Sequence, residues 1–181
     1  MERYAGGDQA AFGALYDELA PKLYRYLLKA AHNEATAEDL LQQTFLRLHD
    51  ARGRFQTGMS VEPWAYAIAR RLFIDWQRRN KFVVVPQGDM RFDDVAGTEP
   101  DADAMLRARQ LSDRLNLALD GLSAPQREAF LLIREQGLSM AEAAEILGTT
   151  VMAVKLRSHR AYENLRRVFD DLDPENGGGQ E

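Results

Sequence analysis

The 181-residue chain contains no cysteine, which excludes disulfide bonds and thiolate metal sites. Its three histidines, His32, His49 and His159, are dispersed and lack the short spacing of a metal site. No apolar run approaches the roughly 20 residues that a membrane-spanning helix needs, and no apolar signal segment follows a basic start. We therefore expect a soluble, cytoplasmic protein that holds no metal or other cofactor.

The sequence also lacks the short motifs of common enzyme sites. It contains no phosphate-binding glycine loop and no serine nucleophile elbow. Its carboxylates lie at predicted helix starts and in one acidic segment, where helix capping and solvation explain them. We therefore expect that the protein is not an enzyme and has no small-molecule substrate.

The formal net charge is −5, but the charges are unevenly distributed along the chain. Cations dominate residues 64–81 and 155–167, whereas residues 89–103 are mainly acidic. Clusters of cations on predicted helices are the electrostatic footprint of nucleic-acid binding. The alternative is that each basic stretch is only the solvated face of a helix.

The first 81 residues are predicted to form helices. Asp8 is placed to cap a long helix that runs toward His32, and Pro21 should kink or break it. Thr36 and Asp39 resemble a capping box for a second helix, and a third is expected after residue 60. In that third helix, large apolar side chains recur every four residues and predict a buried stripe of Trp64, Ile68, Leu72 and Trp76.

Helical periodicity stops over residues 82–104, where Pro86, Gly88, Gly97 and Pro100 interrupt a largely polar segment. This composition predicts an extended, flexible acidic linker. A buried strand at residues 83–85 is the competing interpretation, although the sequence shows no partner strand. The predicted organisation is a domain of residues 1–81, a linker of residues 82–104, a domain of residues 105–170 and a disordered tail of residues 171–181.

The second domain carries successive helix-capping signals. Ser123 with Gln126 and Ser139 with Glu142 are capping boxes, and Gly148 is placed to end the helix that Ser139 begins. A short helix, a glycine turn and a long last helix fit a helix-turn-helix, whose second helix enters the major groove of DNA. An ordinary three-helix bundle with a charged outer face is the alternative.

Periodicity divides the last helix into two faces. The inward face should consist of Val154, Ser158, Ala161, Leu165 and Val168. The outward face, with its flanks, should contact base edges and phosphates through Met152, Lys155, Leu156, Arg157, His159 and Arg160.

Five segments of the chain also resemble a known family. The runs GLSAPQREAFLLIREQGLSMAEAAEILG at 121–148 and AVKLRSHRAYENLR at 153–166 resemble the minus-35-reading domain of sigma factors. The first domain resembles extracytoplasmic-function sigma factors in GDQAAFGALYD at 7–17, AEDLLQQTF at 37–45 and PWAYAIARRLFIDWQRR at 63–79. The segments follow the family's order, so the resemblance covers about residues 7–169.

The resemblance implies an all-α protein of two small helical domains. The first, a three- or four-helix bundle, would bind core RNA polymerase and melt the minus-10 element of promoter DNA, and the helix-turn-helix domain would read the minus-35 element. Asp39, Gln42 and Phe45 would grip the clamp helices of the polymerase β′ subunit, and the second domain would bind the β flap. The implied minus-10 contacts are Arg54, Phe55, Arg70, Arg71, Arg78 and Arg79.

The resemblance also implies that the acidic linker threads through the polymerase interior toward the RNA exit path, and that an anti-sigma factor is a further partner. A flexible tether is the alternative for the linker. Leu156, Ala153 and Arg71 depart from the family's common residues, which leaves the promoter sequence open. Two rival functions also stay open: a stand-alone helix-turn-helix regulator, and a sigma-like adaptor that binds polymerase or an anti-sigma factor without directing transcription.

Overall fold

The computed structural model describes residues 1–80, called here the first domain, and residues 102–170, called the second domain. The first domain contains α1 (Glu2–Ala5), α2 (Ala11–Ala31), α3 (Glu34–Ala51), a 3-10 turn (Arg52–Arg54) and α4 (Val61–Arg79). The second domain contains α5 (Ala102–Asp120), α6 (Ala124–Phe130), a π-helical turn (Leu131–Glu135), α7 (Met140–Leu147) and α8 (Val151–Asp170). Within these two ranges every regular element is helical, so the predicted all-α fold is confirmed.

Most of the predicted linker, the alternative strand at residues 83–85 and the predicted tail lie outside the described residues. α5 nevertheless begins at Ala102, three residues inside the segment predicted as linker.

Side-chain hydrogen bonds decide where several helices begin. At the start of α7 the predicted capping box is present: Ser139 Oγ accepts the Glu142 N–H at 3.2 Å, and Glu142 Oε2 accepts the Ser139 N–H at 2.8 Å. At the start of α6, Gln126 Oε1 accepts the Ser123 N–H at 3.2 Å. These bonds satisfy backbone donors that the first turn of a helix leaves unpaired.

The predicted start of α3 is wrong. Asn33 has an extended backbone, and its side-chain oxygen accepts the Thr36 N–H at 2.8 Å, so the helix begins at Glu34. Asparagine is as strong a cap as serine or aspartate, and it precedes the predicted Thr36 cap along the chain. Pro21 does not break α2, which is continuous from Ala11 to Ala31.

The buried face of α4 lies one residue along the helix from the predicted stripe. The predicted side chains are only half-buried: Trp64, Ile68, Leu72 and Trp76. The buried ones are Ala65, Tyr66, Ala69 and Phe73. The alanines let α4 approach α2 and α3 closely, whereas indole rings at the contact would hold the helices apart. Large apolar side chains therefore do not mark the buried face of α4, because small side chains allow the closest helix packing.

The two domains pack against each other. α7 contacts α4, and one continuous hydrophobic core extends from Tyr4 in the first domain to Val154 in the second. A smaller cluster, which includes Leu119 and Leu165, joins α5 to α8. None of the helices in residues 1–80 and 102–170 combines the length and apolarity that crossing a membrane requires.

Candidate nucleic-acid and protein interfaces

The connection between α7 and α8 has the geometry of a helix-turn-helix. Gly148 ends α7 in the left-handed region, with φ 61° and ψ 43°, where a residue with a Cβ would be strained. Thr150 Oγ1 accepts the Ala153 N–H at 3.2 Å and caps α8. Residues 148–150 are therefore enough to turn the chain from α7 into α8, as the sequence predicts.

The two faces of α8 are arranged as predicted wherever the structure describes their side chains. The buried side chains are Val154, Ser158, Ala161 and Leu165. The exposed ones are Met152, Lys155, Leu156, His159 and Arg160, whereas Arg157 is half-buried. His159 Nε2 lies 3.3 Å from Glu163 Oε1, one turn further along the helix. α8 thus presents a cationic surface with two apolar side chains in it.

The predicted minus-10 cations on α4 differ in their surroundings. Arg71, Arg78 and Arg79 are exposed, and Arg79 Nε donates to the backbone oxygen of Asp75 at 3.3 Å. Arg70 is half-buried, and its Nε and Nη2 each donate to one carboxylate oxygen of Glu128 at 3.1 Å. Glu128 of the second domain therefore already accepts two hydrogen bonds from Arg70, one of the arginines that were predicted to contact DNA.

The loop between the 3-10 turn and α4 is supported from two sides. Arg54 is exposed, and the ring of Phe55 lies against that of Trp64, with centroids 5.4 Å apart. On the other side, Gly58 has φ 86° and donates its N–H to Glu2 Oε1 at 2.6 Å. Sequence reasoning missed Glu2, because no local pattern marks a contact between residues 56 positions apart.

The predicted polymerase-binding residues on α3 are not all at the surface. Asp39 and Gln42 are exposed, and Asp39 Oδ2 accepts from Gln43 Nε2 at 2.7 Å. Phe45 is only 5% exposed and lies under this surface, with its ring 4.6 Å from that of Tyr16. The sequence pattern did not separate Phe45 from its neighbour Leu46, which is 65% exposed.

Among the described residues, polar contacts at four places join the two domains, and sequence reasoning predicted none of them. Besides Arg70 with Glu128, Lys29 Nζ lies 2.5 Å from Glu135 Oε1. The Tyr66 hydroxyl donates to Gln136 Oε1 at 2.6 Å. Burial, with a contribution from the Glu62 carboxylate, raises the pKa of Tyr66, which keeps the hydroxyl a donor.

The fourth contact surrounds His32, which ends α2 with φ 53°. Arg127 Nη1 lies 2.9 Å from His32 Nε2. A guanidinium can only donate, so Nε2 accepts and the imidazole is neutral. Burial is the main cause that lowers the pKa of His32. The Asp120 carboxylate, 3.3 Å from Nε2, opposes this shift, and Arg127 adds to it.

Comparison with protein families identifies both domains. Residues 15–83 match Sigma-70 region 2, and residues 112–165 match Sigma-70, region 4. The chain belongs to the sigma-70 family. RNA polymerase sigma factor CarQ of Myxococcus xanthus is 36% identical over 176 residues, which are 97% of this chain and 98% of CarQ. ECF RNA polymerase sigma factor SigL of Mycobacterium tuberculosis H37Rv is 32% identical, over 93% of this chain and 94% of SigL.

Solved sigma-factor structures have the same fold. CnrH, in complex with the cytosolic domain of CnrY, is 25% identical with a TM-score of 0.70, and the match covers 94% of each chain. Sigma factor RpoE from Bartonella quintana, in complex with the anti-sigma factor NepR, is 27% identical with a TM-score of 0.69, over 88% of this chain and 97% of RpoE. The protein is thus a sigma factor of the extracytoplasmic-function type, and its role is in transcription initiation.

Proposed function

We propose that this sigma factor divides promoter recognition among three surfaces. The exposed face of α3 binds core polymerase, the residue 52–60 loop and α4 bind the minus-10 element, and α8 reads the minus-35 element. The observation that carries the proposal is the separation of the faces of α8, because its cations project outward while Val154, Ala161 and Leu165 are buried in the second domain.

The outward face of α8 suits the major groove. Met152, Lys155, Leu156, His159 and Arg160 follow a spacing of three and four residues, which keeps them on one side of a helix. The major groove is about 12 Å wide and admits an α-helix. Lys155 and Arg160 would donate to base acceptors or phosphates, and Leu156 would contact a thymine methyl group. The half-buried Arg157 would bind phosphate at the edge of the groove.

The loop and α4 suit an opened strand. Phe55, held against Trp64, offers an aromatic face on which an unstacked base could pack. The exposed Arg54 and Arg71 lie in the loop and on α4, where they would neutralise phosphates, and Arg78 and Arg79 extend the cationic surface. Arg70 would join them only after it leaves Glu128.

The exposed face of α3 suits a protein partner. Asp39, Gln42 and Leu46 are separated by three and four residues and share one side of the helix. Leu46, 65% exposed, adds an apolar side chain to the carboxylate of Asp39 and the amide of Gln42 on this face. In our proposal this face grips the β′ clamp helices, the second domain binds the β flap, and the acidic linker passes through the polymerase between them. These contacts would place the protein with the polymerase in the cytoplasm.

An anti-sigma factor is a further proposed partner. RpoE is seen in complex with the anti-sigma factor NepR, and this chain shares its fold over 88% of its length. A partner that covered the exposed α3 face would compete directly with core polymerase.

A charge reversal on α3 tests the proposal. Asp39→Arg should weaken binding to purified core polymerase by tenfold or more, as measured by fluorescence anisotropy of the labelled protein. Glu34→Arg is the matched control, because Glu34 is exposed on the same helix but about 140° around its axis. Equal affinities for the two variants would contradict the α3 assignment. Tight operator binding by the protein without polymerase would favour a stand-alone regulator instead.

A further inference from the structure

The hydrogen bonds inside the residue 52–60 loop shape it only locally. The Phe55 N–H donates to the backbone oxygen of Arg52 at 3.2 Å. The Met59 N–H donates to the backbone oxygen of Gln56 at the same distance. Neither bond ties the loop to another part of the chain, so contacts from outside the loop decide where its side chains lie.

α1 is anchored beside this loop by a buried tyrosine. Tyr4 is 2% exposed, and its ring packs against that of Phe12 on α2, with centroids 5.2 Å apart. Its hydroxyl forms a hydrogen bond with His49 Nδ1, near the end of α3 and three residues before the 3-10 turn. Arg3 Nε and Nη2 donate to Asp8 Oδ2 at 3.0 and 2.7 Å, which closes the turn after α1. α1 is therefore a fixed support.

From this support Glu2 reaches the middle of the loop. Glu2 Oε1 accepts the Gly58 N–H at 2.6 Å. A hydrogen bond to an ionised carboxylate is shorter and stronger than one between neutral groups, so it holds an exposed amide even beside water. The contact of Phe55 with Trp64 holds the start of the loop, whereas the Glu2 bond holds its middle.

A groove of about 490 Å³ lies between α1, α2 and the loop. On the α2 side it is lined by small side chains, those of Ala10, Ala11 and Ala14. Phe55 and Met59 line it from the loop, and Glu2 lines it from α1. Because Gly58 lies between Phe55 and Met59 in the chain, the Glu2–Gly58 bond sets how far these two side chains lie from α1.

We infer that Glu2 is a positioning residue for base recognition at the minus-10 element. Its carboxylate holds the loop so that Phe55 and Met59 meet an unstacked base in one fixed arrangement. This inference rests on the proposed role of the loop at the minus-10 element. The charge of Glu2 acts in the opposite direction, because a carboxylate repels the phosphates of DNA. Loss of the charge and loss of the hydrogen-bond acceptor therefore have opposite expected effects.

Two substitutions separate the acceptor from the charge. Glu2→Ala removes both, whereas Glu2→Gln removes only the charge, because the amide oxygen of glutamine can accept the same N–H. Glu18→Ala is the matched control, since Glu18 is an exposed carboxylate that lines the same groove from α2. Glu2 is also exposed, so all three variants should keep the urea midpoint of the wild type.

The assay measures how much the holoenzyme gains from one base. Each holoenzyme is titrated into fluorescent promoter duplexes whose minus-10 region is unpaired, with the promoter mapped beforehand with the wild-type holoenzyme. One duplex is intact, and in the other an abasic site stands at the minus-10 position that costs the wild type most affinity. General damage to the protein weakens binding to both duplexes and leaves the ratio of the two affinities unchanged. Glu2→Ala should lower this ratio by about fivefold, the lower end of what base stacking on an aromatic ring contributes.

The wild-type ratio should be kept by Glu2→Gln and by Glu18→Ala. A wild-type ratio in Glu2→Ala would overturn the positioning role while leaving the loop at the minus-10 element. A ratio lowered equally in Glu2→Gln or Glu18→Ala would also overturn it, because loss of charge would then be the cause. If the wild type binds intact and abasic duplexes equally at every position, the minus-10 assignment of the loop fails, and the inference fails with it.

Hydrogen exchange of the Gly58 amide tests the bond itself in the full chain without polymerase. Selective ¹⁵N-glycine labelling reports this amide, and its signal is assigned by its absence from Gly58→Ala. Exchange should be faster in Glu2→Ala than in the wild type and Glu2→Gln, because only Glu2→Ala lacks the acceptor. Equal exchange rates in the three proteins would overturn the inference.

Discussion

Removing the charge of Arg160 should weaken promoter binding but leave the fold intact. Arg160 is exposed on the outward face of α8, and substitutions at such positions change stability by about 0.5 kcal/mol or less. If the guanidinium contacts a base, its loss should cost about 1–3 kcal/mol, which is about 5- to 160-fold in affinity. If it contacts a phosphate, the slope of log affinity against log salt should become shallower by about 0.9. Between 50 and 200 mM salt, the affinity of the variant should then fall about 3.5-fold less than that of the wild type.

The assay is a titration of holoenzyme into a fluorescent promoter duplex at two salt concentrations, followed by anisotropy. Arg109→Ala is the control, because Arg109 is an exposed cation of the same domain but lies on α5. We expect Arg160→Ala to bind more weakly than both wild type and Arg109→Ala. If Arg160→Ala binds like wild type at both salt concentrations, the outward face of α8 does not contact DNA.

Two further predictions concern the fold that supports these surfaces. Gly148→Ala should destabilise the protein by about 1–2 kcal/mol in urea unfolding, since φ 61° strains a residue with a Cβ. A Cβ would meet open space at both Gly148 and Gly53, but Gly53 does not have a positive φ, so Gly53→Ala should be near neutral. The pKa of His32 is lower in the folded protein than its ordinary value of 6.5. The neutral imidazole therefore stabilises the folded state at pH values above 6.5, and this contribution should be lost as the pH falls through the lowered folded-state pKa. Asparagine tolerates the left-handed backbone of residue 32 but cannot titrate. The His32→Asn variant should therefore lose less stability than the wild type between about pH 7 and 5.5. Equal losses in the two proteins would contradict the role of His32.

The features that were predictable from the sequence are those set by neighbouring residues. The cap at Ser139, the turn at Gly148 and the two faces of α8 depend on contacts within one or two helical turns. Periodicity fixes the faces, and local hydrogen bonding fixes the ends. The same local reasoning was wrong at Thr36 because Asn33 offered an equivalent cap earlier in the chain.

The features that were missed depend on distant parts of the chain. The burial of α4 is set by how closely α2 and α3 approach it, so small Ala65 and Ala69 are inside while Trp64 and Trp76 remain half-exposed. Arg70 and Glu128 are 58 residues apart in sequence, and each carries an ordinary surface charge in its own helix pattern. Only the packing of the two domains reveals that these charges are paired.

Promoter-directed initiation is measured directly by transcribing total genomic DNA with purified core polymerase and sequencing the 5′ ends of the RNA. We predict that adding this protein creates a set of start sites preceded by two sequence elements at constant spacing. A set of start sites that is the same with and without the protein would contradict the account.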